Sequence, residues 1–359
     1  MKIGILTYHR TLNYGACLQA VATRVVLEKL GHVVRYVDYW PDYHSIKYKA
    51  FSLKRFKYFS VLGSIKYIID SIRKYKYRKE RIDNFESFFD EYIYPYCSNV
   101  SEEYDLIIYG SDQIWRKHAQ LKDYDPVYFG ENNFKTKCHV AYSASMGKLP
   151  SSDKDTERVK QLVSHMDKIA VREENLKELL LKLGFDGIQV TLDPTLLLDK
   201  NEWKNLIGSN STLSFKYMLL YSIGVSAFDV TKVRNYAKDH GCELLILTGT
   251  ATVRPEKLLY TTAGPDTFLD LIQHAECVFT SSFHGLAFSI IFEKEFFASY
   301  HSNSNRAETL LNSVGIDNRM LAPNSDIPSL SLLDYDRIKE KLNLLRINSF
   351  DYLKQLHER

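Results

Sequence analysis

The sequence predicts an α/β protein of two doubly wound domains, and three observations support this fold class. The chain has 359 residues, 45% of them hydrophobic, which suffices for two cores at the usual ~100–200 residues per domain. Its first forty residues read as a strand, a helix and a strand, at 2–7, 17–30 and 32–39. A second series of alternating strands and helices starts at 216. We therefore expect two Rossmann-like domains.

The remaining elements follow from short apolar runs and helical periodicity. Further strands are predicted at 104–109, 140–145, 168–171, 216–223, 243–247, 277–280 and 296–300. Helices are predicted at 152–166, 175–183, 229–240 and 307–314, with one entered at Pro265 and another from Leu286. A charged helix at 332–356 closes the chain, and it carries an apolar stripe of Ile338, Leu342, Leu345, Ile347 and Leu353. We expect this helix to pack back on the first domain.

These elements predict a domain organisation with one insertion. Residues 1–205 form the first domain, with a basic amphipathic insertion at 47–95. Residues 206–330 form the second, after a polar spacer at 208–211, and residues 331–359 form the terminal helix. The insertion contains a Phe85, Phe88 and Phe89 stripe that is typical of a helix core.

Composition excludes several classes of function. The net charge of +3 is too small to indicate a nucleic-acid binder. The five cysteines are scattered without a Cys-x-x-Cys pair, which indicates neither disulfides nor a thiolate metal site, and we expect no metal. No apolar run approaches ~18 residues, so we expect a cytoplasmic protein. The loop after the first strand is not a G-x-G-x-x-G dinucleotide fingerprint.

Residues 47–82 are strongly basic, with apolar and aromatic residues between the lysines and arginines and only Asp70 and Glu80 opposing them. Such a segment suits an anionic membrane surface, because Lys and Arg side chains extend around an apolar stripe. The alternative is an ordinary helical insertion with a solvated face. Membrane binding would place the protein at the inner face of the membrane.

A candidate site lies at 281–285, between the strand 277–280 and the following helix. Ligands of open α/β sheets bind where strands end and helices begin, and the free N–H groups of a helix start favour an anion. His284 is therefore a candidate acid or base, with Ser281, Ser282 and Gly285 beside it. The alternative is that His284 only caps the helix and fills a turn.

Other strand ends carry polar residues that are candidates for the same site. Asn13 and Gly15 offer an amide and a bare backbone after the first strand, unless they form a turn without a ligand. Asp112 is a candidate base or sugar ligand, or else a helix N-cap. Arg172 suits a bidentate grip on a phosphate or carboxylate, or a salt bridge. The remaining candidates are Ser111 and Ser145 after neighbouring strands and Arg306 after the strand 296–300.

Taken in order, these segments resemble the polysaccharide pyruvyl transferase family over about residues 3–320. The resemblance is carried by Asn13-Tyr14-Gly15, Gly110-Ser111-Asp112-Gln113-Ile114-Trp115, Tyr142-Ser143-Ala144-Ser145, Val171-Arg172-Glu173, Asp193-Pro194-Thr195, Ser281-Ser282-Phe283-His284-Gly285, the Arg306 segment and Gly315. It implies two facing domains similar to GT-B glycosyltransferases, with residues 1–205 on the acceptor side and residues 206–330 on the donor side. It also implies transfer of the enolpyruvyl group of phosphoenolpyruvate to two sugar hydroxyls, without a cofactor, and marks Arg172, His284 and Asp112 as functional. The acceptor would be a lipid-linked polysaccharide precursor.

One position departs from the family pattern, since some members carry an arginine two residues before the histidine, where this chain has Ser282. If that arginine binds the donor, another cation must replace it, and Arg306 is the candidate. The departure leaves two alternatives open. One is a GT-B glycosyltransferase using a nucleotide sugar, for which only Glu293 and Glu295 are available as ribose ligands after His284. The other is a non-catalytic partner in polysaccharide assembly.

Overall fold

The computed structural model describes residues 1–58, 60–208, 213–252, 258–302 and 304–357. Two parallel sheets, each covered by helices, make up its two halves, which confirms the predicted α/β class. The predicted polar spacer lies outside the described residues from 209 onward, as do Phe59 and the last two residues of the predicted terminal segment. The predicted boundary at 205/206 falls between the two sheets.

The first sheet has seven strands in the order β3-β2-β1-β5-β7-β8-β9, and β4 and β6 pair separately. The strands of this half are β1 (Lys2–Leu6), β2 (Val33–Val37), β3 (Cys97–Ser98), β4 (Glu103–Tyr104), β5 (Leu106–Tyr109), β6 (Lys135–Thr136), β7 (His139–Ala144), β8 (Lys168–Val171) and β9 (Gln189–Val190). The central strands are apolar on both faces because helices cover both sides of the sheet.

The helices of the first half include one unusually long member. They are α1 (Tyr14–Lys29), α2 (Asp42–Lys47), α3 (Val61–Tyr92), α4 (Asp153–Val163), α5 (Glu174–Lys182) and α6 (Lys200–Ile207), with short 3-10 turns at Leu53–Tyr58, Tyr94–Tyr96, Pro126–Phe129 and Pro194–Leu197. Helix α1 begins three residues earlier than predicted, because Asn13 accepts a hydrogen bond from the Ala16 N–H and caps it. Helix α3 runs for 32 residues and spans most of the predicted insertion.

The second sheet has six strands in the order β12-β11-β10-β13-β14-β15, all parallel. They are β10 (Tyr217–Ser222), β11 (Glu243–Thr248), β12 (Leu259–Tyr260), β13 (Cys277–Thr280), β14 (Glu295–Ser299) and β15 (Met320–Leu321). The helices are α7 (Val230–Asp239), α8 (Pro265–His274), α9 (Phe283–Ile291), α10 (Asn305–Val314) and α11 (Tyr335–Lys354), with 3-10 turns at Asp317–Arg319 and Gln355–His357.

Helix α9 begins at Phe283, not at Leu286 as predicted. Ser282 is the residue that caps it, since its side chain accepts a hydrogen bond from the Gly285 N–H. His284 and Gly285 therefore lie in the first turn of the helix. Helix α10 likewise begins before the predicted residue 307, which places Arg306 in its first turn.

The two halves share a hydrophobic core. Tyr14 at the start of α1 stacks on Phe268 of α8 with ring centroids 4.7 Å apart, and Trp203 of α6 contacts Phe288 of α9. All four side chains belong to one continuous buried cluster that contains residues of both sheets. The two domains therefore face each other across a packed interface, in a GT-B-like arrangement.

Helix α11 returns to the first domain, as predicted. The Tyr352 hydroxyl donates to the Ala141 carbonyl at 2.9 Å, and Ser349 accepts from the Leu192 N–H at 3.0 Å. Near its start, Lys339 pairs with Glu293 of the second domain at 2.9 Å. Ile347, predicted in the apolar stripe, is instead 55% exposed. Tyr352 belongs to the buried face of the helix in its place. No helix in the described part of the chain combines the length and apolar character that crossing a bilayer requires.

Candidate active site

A buried carboxylate, Asp193, joins side chains from both domains. It follows β9 and caps the 3-10 turn at Pro194–Leu197. Its Oδ2 lies 2.9 Å from Nη2 of Arg172 and 3.5 Å from Nε2 of His284. Its Oδ1 accepts from the hydroxyl and the N–H of Thr195, at 2.6 and 3.0 Å. Asp193 therefore holds two of the three residues that the sequence marks as catalytic candidates, Arg172 and His284, in one cluster.

Ser111 completes this cluster on the side of the first domain. Its hydroxyl lies 3.3 Å from Oδ2 of Asp193 and 3.2 Å from the carbonyl of Ser143, and it also contacts Nη2 of Arg172. Ser111 and Arg172 stand directly after β5 and β8, at the carboxyl edge of the parallel sheet, where open α/β sheets bind ligands.

The imidazole of His284 lies directly on Gly15 of the first domain. A Cβ atom at Gly15 would fall 1.9 Å from Nδ1 of the ring, closer than any real contact. The other ring nitrogen, Nε2, faces Asp193. The starts of α1 and α9 therefore meet at this ring, which is only 5% exposed.

A second guanidinium approaches the site from α10. The guanidinium carbons of Arg172 and Arg306 lie 5.2 and 5.4 Å from the centre of the Phe283 ring, which therefore contacts both. Nη1 of Arg306 is 3.9 Å from Oδ1 of Asp112, a loose ion pair. Beside it, Glu173 accepts a short hydrogen bond from the Ser145 hydroxyl.

The pKa values in the cluster follow from burial and from neighbouring charge. Burial by itself raises the pKa of Asp193, but Arg172 and His284 outweigh it and hold this pKa well below its usual range. For Glu173 burial dominates, so its pKa is raised despite Arg306 and Arg172. Burial also lowers the pKa of Arg306, and Arg172 lowers it further. The two arginines therefore repel each other, and Asp193 compensates only one of them closely.

Several polar atoms around this cluster are buried without a hydrogen-bond partner among the described residues. They are Nε and Nη1 of Arg172, Nε of Arg306, Nε2 of His284, Oε2 of Glu173, the hydroxyl oxygens of Ser143 and Ser281, and the hydroxyl of Tyr300. Unpaired buried donors are costly, and most of these atoms are donors or can be. The arrangement suits an anion with several oxygens.

The predicted site residues divide into two groups. Arg172, His284, Ser111, Asp112 and Arg306 lie in or beside the cluster, and Ser281 lies at the start of α9. The others already have structural roles. These are Asn13 and Ser282, which cap α1 and α9, Ser145, which binds Glu173, and Gly15 and Gly285, whose missing Cβ atoms leave room for His284 and for Oγ1 of Thr280. No helix begins at Asp112, because the next helical turn starts only at Pro126, so the N-cap alternative does not apply. The roles of all these residues in ligand binding and catalysis stay predictions.

Sequence reasoning missed Asp193, Glu173 and Phe283 as site residues. All three appear in the sequence analysis only inside the segments that carry the family resemblance. For Asp193, an acid three residues after a strand of the sheet was a usable signal. No pattern in the residues themselves indicates a role for Glu173 or Phe283.

One group in the described residues has the geometry of a metal site. His9, Asp38 and Cys97 place their ligand atoms within 4.8 Å of one another. Arg10 already pairs with the same Asp38 oxygen that faces His9, so the carboxylate is shared with a cation. The group lies apart from the Asp193 cluster. That the activity requires no metal stays a prediction.

The fold and the cluster together define a GT-B-like protein of two Rossmann-like domains with a cationic site between them. The sequence model of the family "Polysaccharide pyruvyl transferase" matches residues 13–303. The chain therefore belongs to the polysaccharide pyruvyl transferase family, a family of transferase enzymes, which confirms the resemblance and the predicted enzyme class.

Several solved structures are similar to this chain at low sequence identity. A putative UDP-N-acetylglucosamine 2-epimerase from Listeria monocytogenes has a TM-score of 0.47 and 11% identity, over 100% of this chain and 91% of that one. The UDP-GlcNAc 2-epimerase from Neisseria meningitidis gives 0.44 and 10%, over 100% and 94%. The spinosyn rhamnosyltransferase SpnG gives 0.40 and 10%, over 99% and 96%. No curated protein matches the chain.

Proposed function

We propose that the protein transfers the enolpyruvyl group of phosphoenolpyruvate to two hydroxyls of one sugar and forms a pyruvate ketal. One observation carries this proposal: Arg172 and Arg306, both with unpartnered nitrogen atoms, flank Phe283 beside the Asp193–His284 pair. Phosphoenolpyruvate has a phosphate and a carboxylate, so its site needs about two cations and a proton donor. Membership of the family supports the same reaction.

In the proposed reaction the first sugar hydroxyl adds to C2 of phosphoenolpyruvate while His284, charged as an imidazolium, protonates the methylene carbon. The second hydroxyl then attacks C2, the C–O bond to the phosphate breaks, and inorganic phosphate leaves with the bonding electrons. Asp193 would stabilise the charged His284. Asp112 would accept the proton of the first hydroxyl, the proton of the second would leave with the phosphate as hydrogen phosphate, and proton exchange with solvent would restore Asp112 and His284. Arg172 and Arg306 would stabilise the departing phosphate.

The position of Arg306 bears on the departure from the family pattern at Ser282. Ser282 caps α9, and the next residue, Phe283, contacts the guanidinium of Arg306. A cation from α10 therefore stands close to the place where some family members carry an arginine. This proximity supports Arg306 as the replacement and weakens the case for a non-catalytic protein.

The contacts of Glu293 and Glu295 argue against a glycosyltransferase. Glu293 pairs with Lys200 and Lys339, at 2.7 and 2.9 Å. Glu295 is the first residue of β14 and pairs with Arg319 at 2.9 Å. Because both acids lie at the amino end of β14, neither can reach a ribose bound at the carboxyl edge of the sheet.

We further propose that the acceptor is lipid-linked and that α3 rests on an anionic membrane surface. Half or more of the surface of five apolar side chains on α3 is exposed; these are Val61, Leu62, Ile65, Ile69 and Ile72. Lys66, Arg73 and Lys76 on the same helix are also exposed. An apolar face bordered by cations matches the apolar interior and negative surface of such a bilayer.

The experiment that tests the donor is a thermal-shift titration with phosphoenolpyruvate, inorganic phosphate, UDP and UDP-galactose. A ligand at ~100 times its dissociation constant should stabilise the protein by about 2.7 kcal/mol. We expect phosphoenolpyruvate to raise the melting temperature of the wild type and of His284→Ala, and to lose this effect in Arg172→Lys, which keeps the charge but not the planar fork. Stabilisation by the nucleotides alone would contradict the proposal.

A further inference from the structure

A cavity of about 870 Å³ is lined by residues of both domains. We call it the basic cleft. Its walls come from Leu12 just before α1, from α2 and the segment that follows it, from α3, from the loop at 119–122 and from the turn after β11.

The charge of the cleft is one-sided. Six of the described residues that line it are Lys or Arg, and none is Asp or Glu. Lys74, Arg78 and Arg81 follow one another at helical spacing and so share one face of α3. Asp70 pairs with Lys74 at 2.9 Å and with Arg78 at 3.4 Å, but it does not line the cleft.

Two of the cations have no counter-charge. Lys49 and Lys122 reach the cleft from other segments than α3, and both are exposed. Within the described part of the chain, neither ammonium group forms a hydrogen bond or an ion pair. Repulsion between such cations disfavours the empty cleft, and a bound anion would relieve it.

The cleft adjoins the candidate active site through the first residues of α1. Leu12 lines the cleft, and the next residues, Asn13 to Gly15, lead to the ring of His284. Arg81 fixes this junction: its guanidinium donates to the hydroxyl of Tyr14 at 2.6 Å and to the carbonyl of Gly249 at 3.1 Å. The chain therefore passes from the wall of the cleft to the ring of His284 between Leu12 and Gly15.

The volume and the remaining lining suit a molecule larger than phosphoenolpyruvate. Pockets for organic ligands are commonly ~300–1,000 Å³. Tyr43, Tyr48 and Ile82 provide aromatic and apolar surface, on which sugar rings or an isoprenoid chain can pack, and Gln120 and Thr250 provide hydrogen-bonding groups.

We propose that the basic cleft binds a diphosphate group attached to the acceptor sugar and so directs that sugar toward His284. The inference rests on the proposed pyruvyl transfer for the identity of the second substrate, but its charge recognition does not. A nucleoside diphosphate sugar and an isoprenoid diphosphate sugar share this chemistry.

Binding is tested with inorganic pyrophosphate by isothermal titration calorimetry at low salt, with saturating phosphoenolpyruvate occupying the donor site. The variant is Lys49→Glu/Lys122→Glu. The matched control is Lys160→Glu/Lys182→Glu, which changes the net charge equally at exposed residues of α4 and α5. We expect affinity for pyrophosphate to fall at least about tenfold in the cleft variant and to change less than about twofold in the control, since distant exposed charges are screened.

Two further arms identify the source of the diphosphate. In one arm UDP replaces pyrophosphate, and in the other a short isoprenyl diphosphate carried in phosphatidylcholine vesicles replaces it. The ligand whose affinity depends on Lys49 and Lys122 is the one that the cleft selects. Equal pyrophosphate affinities in the two double variants, or no binding by the wild type, would overturn the proposal.

Donor binding is measured separately on the same proteins, as the rise in melting temperature that phosphoenolpyruvate causes. The cleft variant should keep this rise. If phosphoenolpyruvate fails to stabilise even the wild type, the calorimetry is repeated without it on Arg172→Lys. Pyrophosphate affinity that still depends on Lys49 and Lys122 would then support the cleft while pyruvyl transfer fails.

Discussion

At the scale of single residues, Gly15 and His284 set the geometry of the candidate active site. Gly15 belongs to α1 of the first domain and His284 to α9 of the second, so their contact fixes the imidazole where the domains meet. The ring is held on its other side by Asp193, which also binds Arg172. Asp193 therefore links the imidazole of His284 to the guanidinium of Arg172.

We predict that Gly15→Ala will lose most of the turnover while it keeps donor binding. The added Cβ atom would fall 1.9 Å from Nδ1, so the ring has to move away from its position beside Asp193. General acid catalysis by a positioned His is typically worth ~10²–10⁴ in rate, and a comparable loss of kcat is expected. Steady-state kinetics of phosphate release measures it, with the phosphoenolpyruvate-induced rise in melting temperature as the binding readout.

A control variant for Gly15→Ala is Ala20→Ser, a similarly small increase in size at a buried position of the same helix. It should lower stability without a specific loss of kcat in the protein that remains folded. Turnover of Gly15→Ala equal to that of the wild type would show that catalysis does not depend on the observed position of His284.

The sequence predicted the cations of this site better than their partner. Arg172, His284 and Arg306 stand at strand ends or helix starts, which local patterns reveal. Asp193 also follows a strand, but an Asp-Pro pair is equally typical of a turn. The contact between Gly15 and His284 depends on how two domains pack, and no local pattern contains that information.

At the scale of elements, α3 presents two different faces. Lys74, Arg78 and Arg81 line the basic cleft, whereas the exposed face carries Val61, Leu62, Ile65, Ile69 and Ile72. The C-terminal part, with Phe85 and Phe89 fully buried, packs into the shared core. The C-terminal part of α3 is therefore fixed in the core, whereas its N-terminal part exposes apolar side chains.

We predict that the protein will sediment with vesicles that contain phosphatidylglycerol and will be released by about 0.5 M salt, because salt shortens the range of the electrostatic attraction. Ile69→Asp/Ile72→Asp should weaken this binding at least about tenfold, since it places two charges in the apolar contact. Cosedimentation at several lipid concentrations measures the change.

The matched control is Leu344→Asp/Ile347→Asp on α11, where the side chains are 61% and 55% exposed. Its vesicle binding should stay close to that of the wild type. Dimerisation in solution through α3, without binding to anionic vesicles, would assign the exposed face to a second copy of the chain and contradict membrane binding.

The longer buried strands were predicted well because they are continuous apolar runs, and α11 was predicted from its periodicity. The bounds of α3 and most of the two-residue strands were not predicted. The start of α9 was placed too late, since both Ser281 and Ser282 can cap a helix and the apolar run begins only at Leu286. Ile347 was wrongly included in the buried stripe of α11, because two residues after Leu345 correspond to about 200° around a helix, which places it on the exposed side.

At the scale of the whole molecule, the two domains are joined by core packing and by a buried cation. Tyr14 stacks on Phe268, and Arg81 of the first domain donates to the carbonyls of Gly249 and Thr261 of the second. Arg81 is only 3% exposed, so breaking the interface would uncover apolar surface and buried hydrogen bonds together. Independent unfolding of one domain is therefore unfavourable.

We predict a single calorimetric unfolding transition, with calorimetric and van't Hoff enthalpies equal. Phe268→Ala removes a ring from the shared core and Phe228→Ala removes one from the core of the second domain alone, where it contacts Phe279. Each should cost about 3–5 kcal/mol and lower the whole transition without splitting it, because the domains unfold together. Two transitions in the wild type, or a Phe228→Ala effect confined to one of them, would show that the domains are energetically separate and that closure around substrate can occur by their relative motion.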